Sequence, residues 1–138
     1  MEKKKYSGSI YVGVVGSEME NGECRDSINN IVLRNGDSLP FFVRATKGYE
    51  ARQTHLNKFM VSNLDYLLLL DHDMIFPEHT LERLRSHGLP FVSGYYLRRR
   101  YSPMLPIWFE QGDINDPWKN WWLKVPEKDT LYKIGASG

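Results

Sequence analysis

The feature that most constrains the fold is the stretch of residues 65–77, DYLLLLDHDMIFP. An uninterrupted apolar run, residues 66–70, leads directly into Asp71, His72 and Asp73. A strand that is apolar on every residue is typical of the centre of a parallel sheet, where helices cover both faces. Carboxylates are rarely buried without partners. The stretch therefore predicts a central strand whose carboxyl end carries a ligand-binding site.

Strands and helices alternate along the rest of the first hundred residues. This order predicts an α/β fold with a doubly wound, mostly parallel sheet and helices on both faces. In such sheets ligands bind beyond the carboxyl ends of the strands. Leu56, Phe59, Met60 and Leu64 have the spacing of an inward-facing helical stripe. Strands are predicted in residues 10–16, 39–46, 66–70 and 89–97, and helices in residues 24–34, 47–64 and 77–88.

The pattern changes after Arg100, where proline and tryptophan become frequent and no helical period is visible. Short antiparallel strands are predicted in residues 106–110, 121–125 and 131–135. The sequence stops at IGASG, immediately after the last of these, and we interpret the chain as truncated. The tryptophans, Trp118, Trp121 and Trp122 among them, are interpreted as core or oligomer-interface residues, so a homo-oligomer is left open.

Composition narrows the partners and the compartment. The formal net charge is +1, which does not favour nucleic acid as a partner. The single cysteine, Cys24, excludes an intramolecular disulfide and favours a reducing compartment; its position on an apolar helical stripe predicts a small core residue. The charged start of the chain lacks the apolar stretch of a signal peptide, and no apolar run approaches the ~20 residues of a membrane span. We predict a cytoplasmic protein without a transmembrane segment.

Asp71 and Asp73 have the chemistry of a metal site. If the strand persists to Asp73, the two side chains share one face and His72 points away. If the chain turns at Asp71, they can still share a site from the loop. Carboxylate oxygens suit Mg²⁺ or Mn²⁺, and such an ion completes its shell with phosphate and water. The structural alternative is that these aspartates cap the helix near Pro77 or lie in a solvated turn.

Several segments together resemble the GT-A-fold glycosyltransferases, especially their family-two-like group. They are DYLLLLDHDMIFPEHTLERL, with its D-x-D triplet, and IYVGVVG, EARQTHLNKF and PFVSGYYLRRR. The resemblance implies a single domain over residues 1–138, with a donor-binding core at 9–100 and the start of an acceptor region at 101–138. It also implies transfer of a sugar from a nucleotide-diphosphate donor to a sugar, lipid or protein acceptor.

The resemblance also implies roles for individual residues. Asp73 would ligate Mn²⁺ or Mg²⁺, and Asp71 would contact the ribose, or the metal through water. Arg52 would approach the nucleotide. The base and ribose would lie over Gly16, Ser17 and Glu18.

The chain departs from the family where Ala45, Thr46 and Lys47 replace an acidic signature, and no catalytic base can be named. Asp113, Glu127 and Asp129 are candidates only because they are acidic and late in the chain. Two alternative functions stay open. One is a nucleotide-sugar-binding fragment without catalysis, and the other is a nucleotidyltransferase, although the acidic segment GSEMENGECR lacks that class's glycine-rich basic loop. The basic run at residues 98–100 is interpreted as a solvated loop rather than a diphosphate clamp.

Overall fold

The computed structural model describes residues 8–16 and 22–94, together with the backbone of residues 108–110, 122–123 and 136–137. The chain divides into two compact units, Met1–Pro90 and Phe91–Gly138.

The first unit contains a three-stranded parallel sheet with the strand order β2-β1-β3. Its strands are β1 (Ile10–Gly16), β2 (Phe41–Arg44) and β3 (Tyr66–Asp71), and its helices are α1 (Gly22–Asn29), α2 (Gly48–Met60) and α3 (Thr80–Ser86). Every residue of β1 is buried, and the strand lies between β2 and β3. The prediction of an α/β fold built on parallel strands is confirmed at this level, and the unit is compatible with a Rossmann-like fragment.

Helices lie on both faces of this sheet. Alternate residues of a strand point to opposite faces, and Tyr11 and Gly13 face α2, whose His55 ring lies against them. The opposite face packs against α1 and α3, and Cys24 is buried there as predicted. That core consists of Ile10, Val12, Val14, Cys24, Ile28, Ile31, Leu70 and Leu81.

The prediction that the leucine-rich strand is central is wrong for the described residues, in which β3 pairs only with β1. Tyr66 and Leu67–Leu69 are half-buried, and Leu70 alone is fully buried. β1 is the middle strand instead. An apolar run reports that both faces of a strand are covered, but it does not report how many strands flank it.

The predicted inward face of α2 is also wrong. Ala51 and His55 are the buried residues of the helix, whereas the side chains of Leu56 and Met60 are 42% and 71% exposed. Of the predicted set only Phe59 contributes to packing, with its ring edge-on to Tyr11 at 6.3 Å between centroids. Leu64 lies beyond the end of the helix. A Cβ atom at Gly13 would lie 2.8 Å from His55 ring atoms, so this ring packs directly on the backbone of β1.

The other differences are in element lengths. The first predicted helix ends at Asn29 rather than Arg34, and α3 begins at Thr80 rather than Pro77. Residues 89–94, predicted to start a fourth strand, are not in a strand, and Pro90 lacks the N–H that a ladder needs there. The remainder of that predicted strand, residues 95–97, lies outside the described residues.

A loop before β2 completes the hydrogen bonding of β1. The Ile10 N–H donates to Asp37 Oδ1 at 3.0 Å, and the Val12 N–H donates to Ser38 Oγ at 2.8 Å. Asp37 Oδ2 accepts from Arg85 Nη2 at 2.6 Å, and these side chains are only 1% and 3% exposed. β2 pairs with β1 only from Gly13 onward, so this loop satisfies the start of the strand.

The second unit contains a three-stranded antiparallel sheet with the order β5-β4-β6. Its strands are β4 (Trp108–Glu110), β5 (Trp122–Leu123) and β6 (Ala136–Ser137). The first two fall inside predicted strands, and the third begins just after the predicted residues 131–135. No helix in the described part of the chain has the length and apolar character that a membrane crossing requires.

Candidate functional site

The carboxyl edge of the parallel sheet carries two of the predicted site residues, Gly16 and Asp71. Gly16, Arg44 and Asp71 are the last residues of their strands. Gly16 lies opposite Arg44, and Val15 lies opposite Asp71. The chain leaves β1 for β2 on one side and then crosses to β3 on the other, so β1 and β3 flank a switch in strand order. Ligands of open α/β sheets bind at such a switch point.

Asp71 is held at this edge by its backbone. The N–H of the next residue, His72, donates to Val15 O at 3.1 Å, which continues the ladder past the strand end. Cys24 Sγ, near the start of α1, contacts Asp71 O at 3.8 Å. The Asp71 side chain is 38% exposed. The backbone of Asp71 is therefore fixed, while its carboxylate stays partly accessible to solvent.

Arg52 contacts this carboxylate, with 3.2 Å between Arg52 Nη2 and Asp71 Oδ1. Its side chain is 51% exposed, and an ion pair this accessible contributes at most about 1 kcal/mol to stability. A Cβ atom at Gly48 would lie 3.0 Å from Arg52 Nη1, so the guanidinium rests against the first turn of α2. The sequence predicts both residues for the site but not their ion pair.

Asp73 reaches the edge from a turn rather than from the strand. β3 ends at Asp71, so the alternative in which the strand persists to Asp73 is wrong. His72 does not point away freely, because its Nδ1 lies 3.0 Å from Val15 O. Asp73 is exposed in the turn. α3 has His79 at its N-cap position, and the His79 side chain makes no cap hydrogen bond.

The fit of the site to a divalent cation depends on two carboxylates. Among residues 8–16 and 22–94, no group of three or more His, Cys, Asp or Glu side chains is arranged to hold a metal ion. A cation that arrives with a diphosphate needs only one or two protein carboxylates. Asp71 and Asp73 carry two carboxylates, and that of Asp71 is in contact with Arg52.

Some predicted residues lie outside the described part of the chain. These are Ser17 and Glu18, the basic run at 98–100, Trp118 and Trp121, and the late acidic candidates Asp113, Glu127 and Asp129. Lys47, from the segment that replaces the acidic signature, is the N-cap residue of α2 and makes no side-chain cap.

His55 is a residue of α2 that the sequence does not single out for the site. It is fully buried, and its Nε2–H donates to Val14 O at 2.9 Å. The Tyr11 hydroxyl donates to its Nδ1 at 3.2 Å. Burial lowers the pKa of His55 below 6.5; the bond to Val14 opposes this shift, and nearby Lys58 adds to it. The Ala51-His55-Phe59 spacing is the signal that could have predicted a packing role.

The buried ring links α2 to the central strand. Val14 and Tyr11 belong to β1, and His55 lies one turn after Arg52 on the helix. The contact therefore determines how α2 lies against the sheet, and so where Arg52 meets Asp71. Burial also raises the pKa of the Tyr11 hydroxyl, which keeps it a donor to the imidazole.

Comparison with known proteins does not identify the chain. No protein family, curated protein or solved structure matches it.

Proposed function

We propose that this chain is the donor-binding part of a metal-dependent glycosyltransferase with a GT-A fold, acting on a nucleotide-diphosphate sugar. The observation that carries the proposal is the position of Asp71. It ends β3 beside the carboxyl end of β1, it is half-exposed, and it contacts Arg52 while Asp73 follows in an exposed turn. A pair of carboxylates beside an arginine at this edge suits a metal-bound diphosphate.

Each residue of the site would have a separate role in binding the donor. Asp73, with Asp71 beside it, would hold Mn²⁺ or Mg²⁺ against the diphosphate. Arg52 offers a planar guanidinium, which matches phosphate oxygens better than a lysine does. The nucleoside would lie along Gly16 and the residues that follow it. When bound, the cation neutralises the charge that develops on the leaving nucleotide diphosphate.

Calorimetry tests the proposal directly. The chain is titrated with UDP, GDP and their sugars, with and without Mn²⁺. Asp73→Asn should weaken metal-dependent binding at least about tenfold, or about 1.4 kcal/mol, because one hard ligand is lost. Glu78→Gln is the matched control, since it removes an equally exposed carboxylate a few residues further along the chain. If no nucleotide diphosphate binds with or without Mn²⁺, or if Asp73→Asn and Glu78→Gln have the same metal-dependent affinity, the proposal is wrong.

Binding and transfer must then be separated. A donor domain that retains catalysis should slowly hydrolyse its donor in the presence of metal, releasing sugar and nucleotide diphosphate. Asp73→Asn should abolish that release. Donor binding with no release and no transfer to any acceptor would instead support the nucleotide-sugar-binding alternative.

A further inference from the structure

We propose that the Arg52–Asp71 ion pair couples cation binding to nucleotide-diphosphate binding, with Arg52 occupying Asp71 until a diphosphate draws it away. The inference rests on the proposed function for the identity of the ligand. It adds a positioning role for Arg52 toward Asp71 itself.

Arg52 and a divalent cation would compete for one carboxylate, that of Asp71. Arg52 Nη2 lies 3.2 Å from Asp71 Oδ1, within ion-pair distance. A divalent cation placed on the same carboxylate would meet a guanidinium at close range, and two like charges in one site oppose each other. With Arg52 in this position, Asp71 is a poor ligand for a cation that arrives alone.

Arg52 can leave Asp71 at little cost in free energy. Its side chain is 51% exposed, and the salt bridge to Asp71 is an exposed pair of small energy. A diphosphate at the carboxyl edge offers the guanidinium a bidentate partner with more negative charge than one carboxylate. Arg52 is therefore expected to exchange Asp71 for phosphate, which frees Asp71 for the cation.

Cation binding and diphosphate binding would affect each other reciprocally. If the diphosphate raises cation affinity by releasing Asp71, the cation must raise diphosphate affinity by the same factor. Coupling of this kind is typically about 5- to 150-fold. Free cation would then occupy the site weakly, and loading would take place as a cation–nucleotide complex.

The experiment measures Mn²⁺ binding by the electron paramagnetic resonance signal of free Mn²⁺, with no nucleotide and with saturating UDP or GDP. Arg52→Gln should bind Mn²⁺ alone at least about threefold more tightly than the wild type, while its nucleotide-diphosphate affinity falls about tenfold. Adding Asp71→Asn to Arg52→Gln should remove the gain in Mn²⁺ affinity. Arg52→Lys, which keeps the charge, should not show the gain.

Lys58→Gln is the matched control, because it removes one exposed positive charge from the same helix near its far end. If Arg52→Gln and Lys58→Gln change the affinity for Mn²⁺ alone equally, the effect is one of net charge and the inference is overturned. Unchanged coupling in Arg52→Gln overturns it too.

Failure of the proposed function gives a different pattern. In that case the wild type binds no nucleotide diphosphate in any arm. The comparison of Mn²⁺ alone in the wild type, Arg52→Gln and the double variant still decides whether Arg52 competes for Asp71.

Discussion

Acidification should destabilise the first unit through His55. The imidazole is fully buried, with Nε2–H donating to Val14 O and Nδ1 accepting from Tyr11, so the folded state favours its neutral form. Protonation would place a second N–H against the Tyr11 hydroxyl, which would then have to turn its own proton away. In the unfolded chain the same imidazole takes up a proton near its ordinary pKa of 6.5.

The sign and size of the effect follow from this difference. Burial lowers the folded pKa, so below about pH 6.5 the unfolded state binds more protons than the folded state. The stability is complete above that pH and is lost as the pH falls, until the folded pKa is reached. While the folded ring stays neutral, the slope is at most about 1.4 kcal/mol per pH unit. Between about pH 7.5 and about pH 5.5, the free energy of unfolding should fall by up to about 1.4 kcal/mol.

The assay is urea unfolding followed by far-UV circular dichroism across this pH range. His55→Gln removes the titrating group, and its pH profile should be flatter than the wild-type profile by that amount. His87→Gln, at an exposed position after α3, is the control and should keep the wild-type slope. If the free energy of unfolding depends on pH equally in the wild type and in His55→Gln, another group carries the pH dependence and the role given to His55 is wrong.

Two further predictions concern the packing behind the site. In Gly13→Ala the new Cβ would lie 2.8 Å from His55 ring atoms, so the ring and α2 must shift. The free energy of unfolding, measured by urea denaturation, should fall by about 1–3 kcal/mol. An equal loss in a His55→Ala background would contradict this cause. Asp37→Ala leaves the 3%-exposed Arg85 with the longer 3.6 Å contact to Glu82, and it removes the acceptor of the Ile10 and Arg34 N–H groups. It should cost about 3–5 kcal/mol, against little change for the exposed Asp26→Ala. Similar melting temperatures for the two aspartate variants would count against a stabilising buried pair.

The sequence predicted much of the local structure. The apolar runs at 10–16 and 66–70 are strands, and helices follow each strand of the parallel sheet. Apolar period and turn residues act within a few positions, so such elements can be read directly. The sequence also predicts that Gly16 and Asp71 lie at the carboxyl edge of the sheet, because parallel strands end on the same side.

The candidate site was predictable as a set of residues and not as an arrangement. Arg52 and Asp71 are 19 positions apart, and nothing in the pattern of either segment predicts that they meet. The sequence also leaves open whether the strand continues to Asp73 or the chain turns at Asp71, and in the structure β3 ends at Asp71. Ser17 and Glu18 stay predictions.

The alternation of strands and helices and the acidic end of β3 depend on neighbours along the chain, so local patterns are enough to predict them. The middle position of β1, and the burial of His55 rather than Leu56 and Met60 on α2, are visible only in the folded chain. The folded chain also shows that Asp37 and Arg85, 48 positions apart, form a buried pair. Each of these depends on which surfaces pack together, and packing is set by shape and hydrogen-bond satisfaction across distant segments, which local periodicity does not encode.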